Sequence, residues 1–232
     1  MDDVSPRHVA RFIVAVVVAA WAALLSAPLS IPFASAAACS DVEVVFARAT
    51  TEPAGVGSVG QSFVDLLSSQ VAGKSIGVYA VNYPASDDFG PSASAGASDA
   101  NAHVQSVAAN CPNTKMVLGG YSQGALVIDL ITAIPFPLAG FSPAPIPASV
   151  ADHVAAVAVF GNPSDRYVGL PLTAVSPLYG GKTIDLCAPA DPICSGRGMS
   201  LPTRDEMFSD AHLSYVKNGM AVQGATFAAS HL

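Results

Sequence analysis

Charge is scarce in this chain: 12% of its 232 residues are charged, against 51% that are hydrophobic. The four lysines, Lys74, Lys115, Lys182 and Lys217, are scattered, and no basic run gathers them. That excludes an electrostatic nucleic-acid binder and a protein that docks on anionic lipid by charge. The apolar content excludes a disordered chain. No internal repeat is present, so the chain is not a solenoid or an array. The apolar run from Phe12 to Leu25 stops short of the ~20 residues that a spanning helix needs. The cysteines lack any histidine or carboxylate pair at ligand spacing, which leaves no cysteine-based metal site. What remains is one globular domain of ample core, with a net charge of −7, suited to neutral or apolar substrates.

The amino terminus reads as a secretory signal over residues 1–36. Arg7 and Arg11 precede the apolar run, Pro28 and Pro32 interrupt its end, and Ala34-Ser35-Ala36-Ala37-Ala38 offers small-x-small cleavage after Ala36 or Ala38. A retained anchor is the alternative, and a lipoprotein reading on Cys39 is weakened by Ala36, where such signals usually carry Leu. Removing the segment takes away two arginines and two aspartates and leaves the net charge unchanged. All four cysteines lie beyond it, an even count that reads as two disulfides in an exported, extracellular domain spanning 37–232. Three pairings are possible; the simplest joins Cys187 to Cys194 and Cys39 to Cys111.

Strand-like and helix-like segments alternate. Strands are expected at 42–46, 76–81, 115–119, 154–160 and 183–186, and helices at 57–72, 97–110 and 211–229. Such alternation predicts an α/β fold: a parallel sheet covered on both faces. Residues 134–149, with five prolines, are expected to form an exposed loop near the site, and 188–209 a Gly-, Pro- and Ser-rich one.

The chemistry centres on Gly120-Tyr121-Ser122-Gln123-Gly124, set where the strand 115–119 meets an apolar helical run. Gly-x-Ser-x-Gly in that context is a nucleophile elbow. A serine hydroxyl needs a general base, and the base an orienting acid, in the chain order Ser, acid, His. Three histidines follow Ser122. His153 starts a strand, His231 is next to the end, and His212 follows a long loop, where groups reach the carboxyl edge of the sheet. For the acid, Asp185, Asp191, Asp205 and Asp210 are available; Asp191 lies in the loop that Cys187–Cys194 would hold. An oxyanion hole requires backbone N–H groups, one from Gln123 and one from the loop Ala47-Arg48-Ala49-Thr50-Thr51-Glu52.

Taken together, Phe46-Ala47-Arg48-Ala49-Thr50-Thr51-Glu52, the elbow, and Cys187-Ala188-Pro189-Ala190-Asp191-Pro192-Ile193-Cys194 resemble the cutinase family of small secreted serine esterases, with the mycobacterial cutinase-like branch the nearest. The resemblance covers nearly all of residues 37–232. It implies a cutinase-like α/β-hydrolase, a three-layer sandwich on a central, mainly parallel five-stranded sheet. It also implies Ser122 as nucleophile, Asp191 as acid, His212 as base, Thr50 beside Gln123 in the oxyanion hole, and the pairings Cys39–Cys111 and Cys187–Cys194. The expected activity is hydrolysis of short- to medium-chain carboxylic esters by a monomer. It needs no metal or organic cofactor and no nucleic acid, and contact with lipid is transient. A lipase, phospholipase A or thioesterase, an acetylxylan esterase, or an inactive exported antigen or binding protein are the competing readings. Two departures stand out. Ala49 replaces the glycine usual before the oxyanion residue, and would be strained if that position needs positive φ. The stretch from Cys194 to His212 is longer than in fungal relatives.

Overall fold

A computed structural model describes residues 39–137, 140–168, 171, 175–196, 198 and 200–232. The expected leader, 1–36, lies outside the described residues, as does its cleavage site. From Cys39 onward the chain forms one unit.

Five strands, β1 (Val42–Ala47), β2 (Ile76–Ala80), β3 (Lys115–Tyr121), β4 (Val154–Phe160) and β5 (Thr183–Leu186), make one sheet in the order β2-β1-β3-β4-β5. Every pairing is parallel. The helices are α1 (Gly57–Gln70), α2 (Phe89–Asn110), α3 (Gln123–Thr132), α4 (Pro163–Val168), α5 (Arg204–Met207) and α6 (Met220–Ala229). The central strands are apolar on both faces because both are covered. Alternation along β1 sorts the core: Val45 and Ala47 face α2 and α3, whereas Val44 and Phe46 face α1 and α6. The second face is built on aromatic contact, with Phe46, Phe63 and Phe160 mutually 5.9–6.5 Å apart. The result is the expected three-layer α/β-hydrolase sandwich. Cys39–Cys111 ties the entry of β1 to the end of α2 across 72 residues, a closure worth about 4 kcal/mol in the chain-entropy model.

Three stretches depart from the sequence reading by more than a residue or two at an element's end. α2 begins at Phe89 rather than 97. Pro91 falls in its first turn, where a missing N–H costs nothing, and the small residues Ser92, Ala93, Gly96 and Ala97 are buried. Close approach to α3, rather than an apolar stripe, makes that stretch helical. The expected helix 211–229 is two pieces, a 3-10 turn at His212–Ser214 and α6. Gly219, at φ 82°, separates them, with Asn218 Oδ1 accepting from Met220 N–H. Residues 134–149 are not uniformly exposed. Ala144 and Ile146 donate to the carbonyls of Leu130 and Ile131 at the end of α3, and Ile134 and Ile146 are buried.

Behind the sheet's carboxyl edge, Asn162 Nδ2 donates to Asp129 at 2.7 Å and Asp185 at 3.1 Å. Burial pushes Asp129 up to about 7, and burial with the neighbouring carboxylates also raises Asp185. Unfolded, these acids titrate near ~4. Between about pH 4 and 7 the folded chain therefore keeps protons that the unfolded chain has released. The stability this contributes is complete at the acid end of that range and is lost as pH rises through it. Asp129→Asn keeps the acceptor for Asn162 and removes Asp129's share of the titration. Its melting temperature should fall less from about pH 5 to about pH 8 than that of the unaltered chain; parallel falls in the two proteins would overturn this account.

Candidate active site

Ser122 sits between β3 and α3 with φ 56° and ψ −119°, a conformation that L-residues reach only under constraint. The glycines on either side follow from sterics. A Cβ at 120 would lie 2.2 Å from the carbonyl oxygen of Gly124, and one at 124 would lie 2.0 Å from that of Ala47. The strained turn is pinned by Ser122 N–H donating to Phe160 O at 2.9 Å. Helix geometry leaves the N–H of Gln123, first residue of α3, without an acceptor in its own helix. Its side chain is locked, accepting from Ser92 Oγ and donating to Ser86 O.

Three expected residues meet here. Ser122 Oγ is 2.9 Å from His212 Nε2, and His212 Nδ1 is 2.8 Å from Asp191 Oδ2. All three are buried, Asp191 completely. Burial alone would raise Asp191, but its hydrogen bond to His212, the imidazole's charge, the Tyr215 hydroxyl and the Ile193 N–H outweigh that and hold it below the usual carboxylate range. Ile193 N–H donates to Oδ1 at 2.8 Å, and Tyr215 OH to Oδ2 at 2.6 Å. Tyr215, raised by burial and the adjacent carboxylate, stays a donor. It also accepts from Ala188 N–H at 3.0 Å and touches Cys194 Sγ at 3.5 Å. One phenol thus joins the acid to the loop closed by Cys187–Cys194. Tyr121 lies along the imidazole, ring centres 5.0 Å apart, and donates to His212 O.

The loop after β1 faces the serine. Thr50 Oγ1 is buried and has no hydrogen-bond partner among the described residues. Glu52 ties the loop to the start of α1, accepting from Ala49 N–H at 2.7 Å and from Ser58 N–H at 2.8 Å. Buried Arg48 donates to Glu52 O and Tyr83 O, both at 2.8 Å. The left-handed residue of this loop is Thr51, at φ 63°, and not Ala49, so the missing glycine brings no backbone strain.

The other acids and histidines lie elsewhere. Asp185 is in the Asn162 cluster, Asp205 and Asp210 are exposed. His153 precedes β4, at the sheet's amino edge, and His231 lies against Phe227 with the two rings tilted by 42°. The sequence reading did not single out Tyr121, Tyr215, Arg48, Glu52 or Gly161. The three-residue spacing of Tyr215 from His212 was the available signal for one of them, and membership of the quoted motifs for Tyr121, Arg48 and Glu52. Two hollows meet at Ser122: a cleft of about 240 Å³ that includes Thr50, Thr51, Phe208, His212 and Leu213, and a narrower apolar slot past Gln123. No group of three or more His, Cys, Asp or Glu could hold a metal among the described residues.

The cutinase family model matches residues 38–232. The chain belongs to the cutinase family. It is similar to Carboxylesterase Culp1 of Mycobacterium tuberculosis, 53% identical over 98% of both chains. It is also similar to Phospholipase Culp4 of the same organism, 51% identical over 96% of this chain and 93% of the relative. Among solved structures, a Trichoderma reesei cutinase in complex with a phosphonate inhibitor superposes with a TM-score of 0.61. It shares 33% identity over 83% of this chain and 76% of that one. The family and the fold are thus those that the sequence resembles.

Gly161, at φ 56°, packs beneath the site, and a Cβ there would lie 2.9 Å from His212 Cε1 and 3.2 Å from Asp191 Oδ2. Gly161→Ala should cost about 1–2 kcal/mol from the left-handed backbone and displace the imidazole. Calorimetry and a structure of the variant would check this; an unshifted melt with His212 in place would refute it.

Proposed function

We propose that this carboxylic-ester hydrolase is an exported serine esterase acting on short- to medium-chain esters through Ser122, His212 and Asp191. Family membership makes it a carboxylic-ester hydrolase; the assignment of roles is carried by the unbroken hydrogen-bonded line from Ser122 Oγ to Asp191 at the floor of the cleft. His212 Nε2 takes the hydroxyl proton as Oγ attacks the ester carbonyl carbon. Asp191, kept ionised, holds the imidazole by Nδ1 and supports the imidazolium. The oxyanion forms against the N–H of Gln123 and the N–H and hydroxyl of Thr50, whose buried, unpartnered oxygen suits that duty. His212 returns its proton to the departing alcohol, and a water activated by the same base then releases the acid. No step calls on a metal or an organic cofactor.

Residues 1–36 direct export and are removed in its course, leaving 37–232 as one domain that acts as a monomer. The two disulfides are compatible with an extracellular protein. Exposed Leu201, Phe208 and Leu213 lie on hollows that meet at Ser122 and suit brief contact with a lipid interface. A phospholipase reading is favoured by one observation, the 51% identity to Phospholipase Culp4.

Hydrolysis of p-nitrophenyl esters of rising chain length is the direct test. Turnover should vanish in Ser122→Ala, and Thr50→Val should raise the barrier by about 2.7–4 kcal/mol with KM little changed. Persistence of turnover in Ser122→Ala would end the serine assignment, and an optimum at long chains would favour the lipase or phospholipase reading.

The disulfide loop gives a second test. In Cys187→Ser with Cys194→Ser, activity should fall further than the melting temperature. The loop closes only 7 residues, so it restrains the unfolded chain less than Cys39–Cys111 does while fixing Asp191 against Tyr215. Full turnover in the double variant would show that the bridge does not position the acid.

A further inference from the structure

The imidazole has to span Asp191 and Ser122, so the turns that carry the acid and the base must be held against each other. On the carboxyl side of His212 the link is Tyr215, three residues on, which donates to Asp191. On the amino side stands α5, whose four residues are too few to keep their own place. A capping box fixes its start: Glu206 N–H donates to Thr203 Oγ1, and Glu206 Oε2 accepts from Thr203 N–H at 2.7 Å. Ser209 joins α5 to the base. Its N–H and hydroxyl both donate to Glu206 O, and its Oγ accepts from His212 N–H at 3.3 Å.

A cation outside the triad completes the connection. Arg166, on α4, donates from Nη1 to Glu206 Oε1 at 3.0 Å and to Pro192 O, next to the acid, at 3.3 Å. Its Nη2 donates to Ser200 Oγ at 3.1 Å. The Arg166 side chain is only 9% exposed and that of Glu206 28%, so water and salt screen this pair less than a surface one. Hydrogen bonds from Thr203, with Arg166 adding to them, hold Glu206 below the usual carboxylate range. α4 is itself rooted at the end of β4, where Ser164 N–H donates to Asn162 Oδ1 and Gly161 N–H to Leu186 O. β4 ends at Phe160, whose carbonyl accepts from Ser122 N–H. One guanidinium thus connects the strand that pins Ser122 to the turn of Asp191 and, through Glu206 and Ser209, to the backbone of His212. A compact ammonium does not span three acceptors on separate segments; a planar fork of donors does.

We propose that Arg166 is a positioning residue for the hydrolysis, fixing the turn that carries Asp191 against the turn that carries His212. The inference rests on the roles assigned above to Ser122, His212 and Asp191, and adds a residue that acts through their neighbours. An ion pair that merely tied two segments of the fold together would change the melting temperature and leave each folded molecule as active as before.

The experiment measures kcat and KM for p-nitrophenyl acetate on the disulfide-bonded chain, well below the melting temperature of every variant. Beside it, proton NMR follows the low-field resonance of the hydrogen bond between His212 Nδ1 and Asp191, assigned by its loss in His212→Ala. Misplacing a catalytic group by about 1 Å costs on the order of 100-fold; with Tyr215 and the disulfide still in place, Arg166→Met should lower kcat about 10-fold, KM changing little. Its low-field resonance should broaden by exchange with water. Arg166→Lys, which keeps the charge and the buried stem, should recover the melting temperature but not kcat. Glu206→Ala leaves the Pro192 contact and should lower kcat less than Arg166→Met; combined with it, it should add nothing. Arg204→Met removes an exposed cation of the same helix, 3.8 Å from Asp87, and should leave both readouts alone. The proposal fails if Arg166→Lys, or Arg166→Met where it folds, keeps full kcat and a sharp resonance. It fails equally if Arg204→Met loses as much as they do. Should Arg166→Met not fold, Arg166→Lys and Glu206→Ala decide. Turnover that survives in Ser122→Ala is a different failure, because it removes the triad that Arg166 is held to position.

Discussion

Keeping one fully buried carboxylate ionised is the constraint around which this site is organised. An unpaired charge in such surroundings is costly enough that the group would normally take up a proton. Asp191 avoids that because donors meet both of its oxygens: the Ile193 N–H on one, and the Tyr215 hydroxyl with His212 on the other. Each donor is itself fixed. Ile193 belongs to the same disulfide-closed turn, and Tyr215 is held by the Ala188 N–H across that turn. The small bridge is thus less a staple for the fold than a frame for one side chain. Chain-entropy reasoning alone would rank Cys39–Cys111 above it.

Glycine 161 and asparagine 162 separate two opposite electrostatic settings. On one side the site's acid is held below its usual range by hydrogen bonds to its charged form. On the other, Asp129 and Asp185 are raised, because Asn162 donates to both but supplies too little to offset their burial and the repulsion of neighbouring Asp165. The same residue type, in adjoining parts of the core, is driven to different charge states by the number of donors aimed at it. The position left without a side chain is the one where any Cβ would press on both the imidazole and the acid.

The parallel sheet was legible because its strands are short apolar runs separated by helical periodicity, and the elbow because Gly-x-Ser-x-Gly has a steric cause visible in two residues. The start of α2 was not, since its buried face is made of Ser, Ala and Gly, whose contribution is close approach rather than hydrophobic pattern. The break at Gly219 was likewise hidden inside an otherwise helical composition. At the site, Ser122 and His212 follow from chain order and fold logic, whereas spacing favoured Asp191 only modestly over three other aspartates until the family resemblance selected it. For Tyr215 and Glu52 the sequence held only a spacing and a motif membership, too little to assign a duty, because a tyrosine or glutamate takes on a positioning role only through contacts that the folded chain creates. The concern over Ala49 dissolved for a related reason: the loop's left-handed turn is taken by Thr51, one residue past Thr50.

The loop after β1 shows how such a duty is distributed. In the proposed mechanism Thr50 presents a hydroxyl and an N–H to a charge that exists only during the reaction, a duty for which neither can be committed to a partner beforehand; its hydroxyl oxygen is buried without one among the described residues. A segment with uncommitted polar groups gains nothing from them in stability, and its conformation has to be imposed from outside. Glu52 does so from the α1 side, through Ala49 and Ser58, and Arg48 from the β2 side, through the carbonyls of Glu52 and Tyr83. Both clamps are charged groups spending their hydrogen bonds on backbone, which are stronger than neutral ones. The division is consistent with preorganisation: charged residues that never meet the ester hold still the one polar side chain that would.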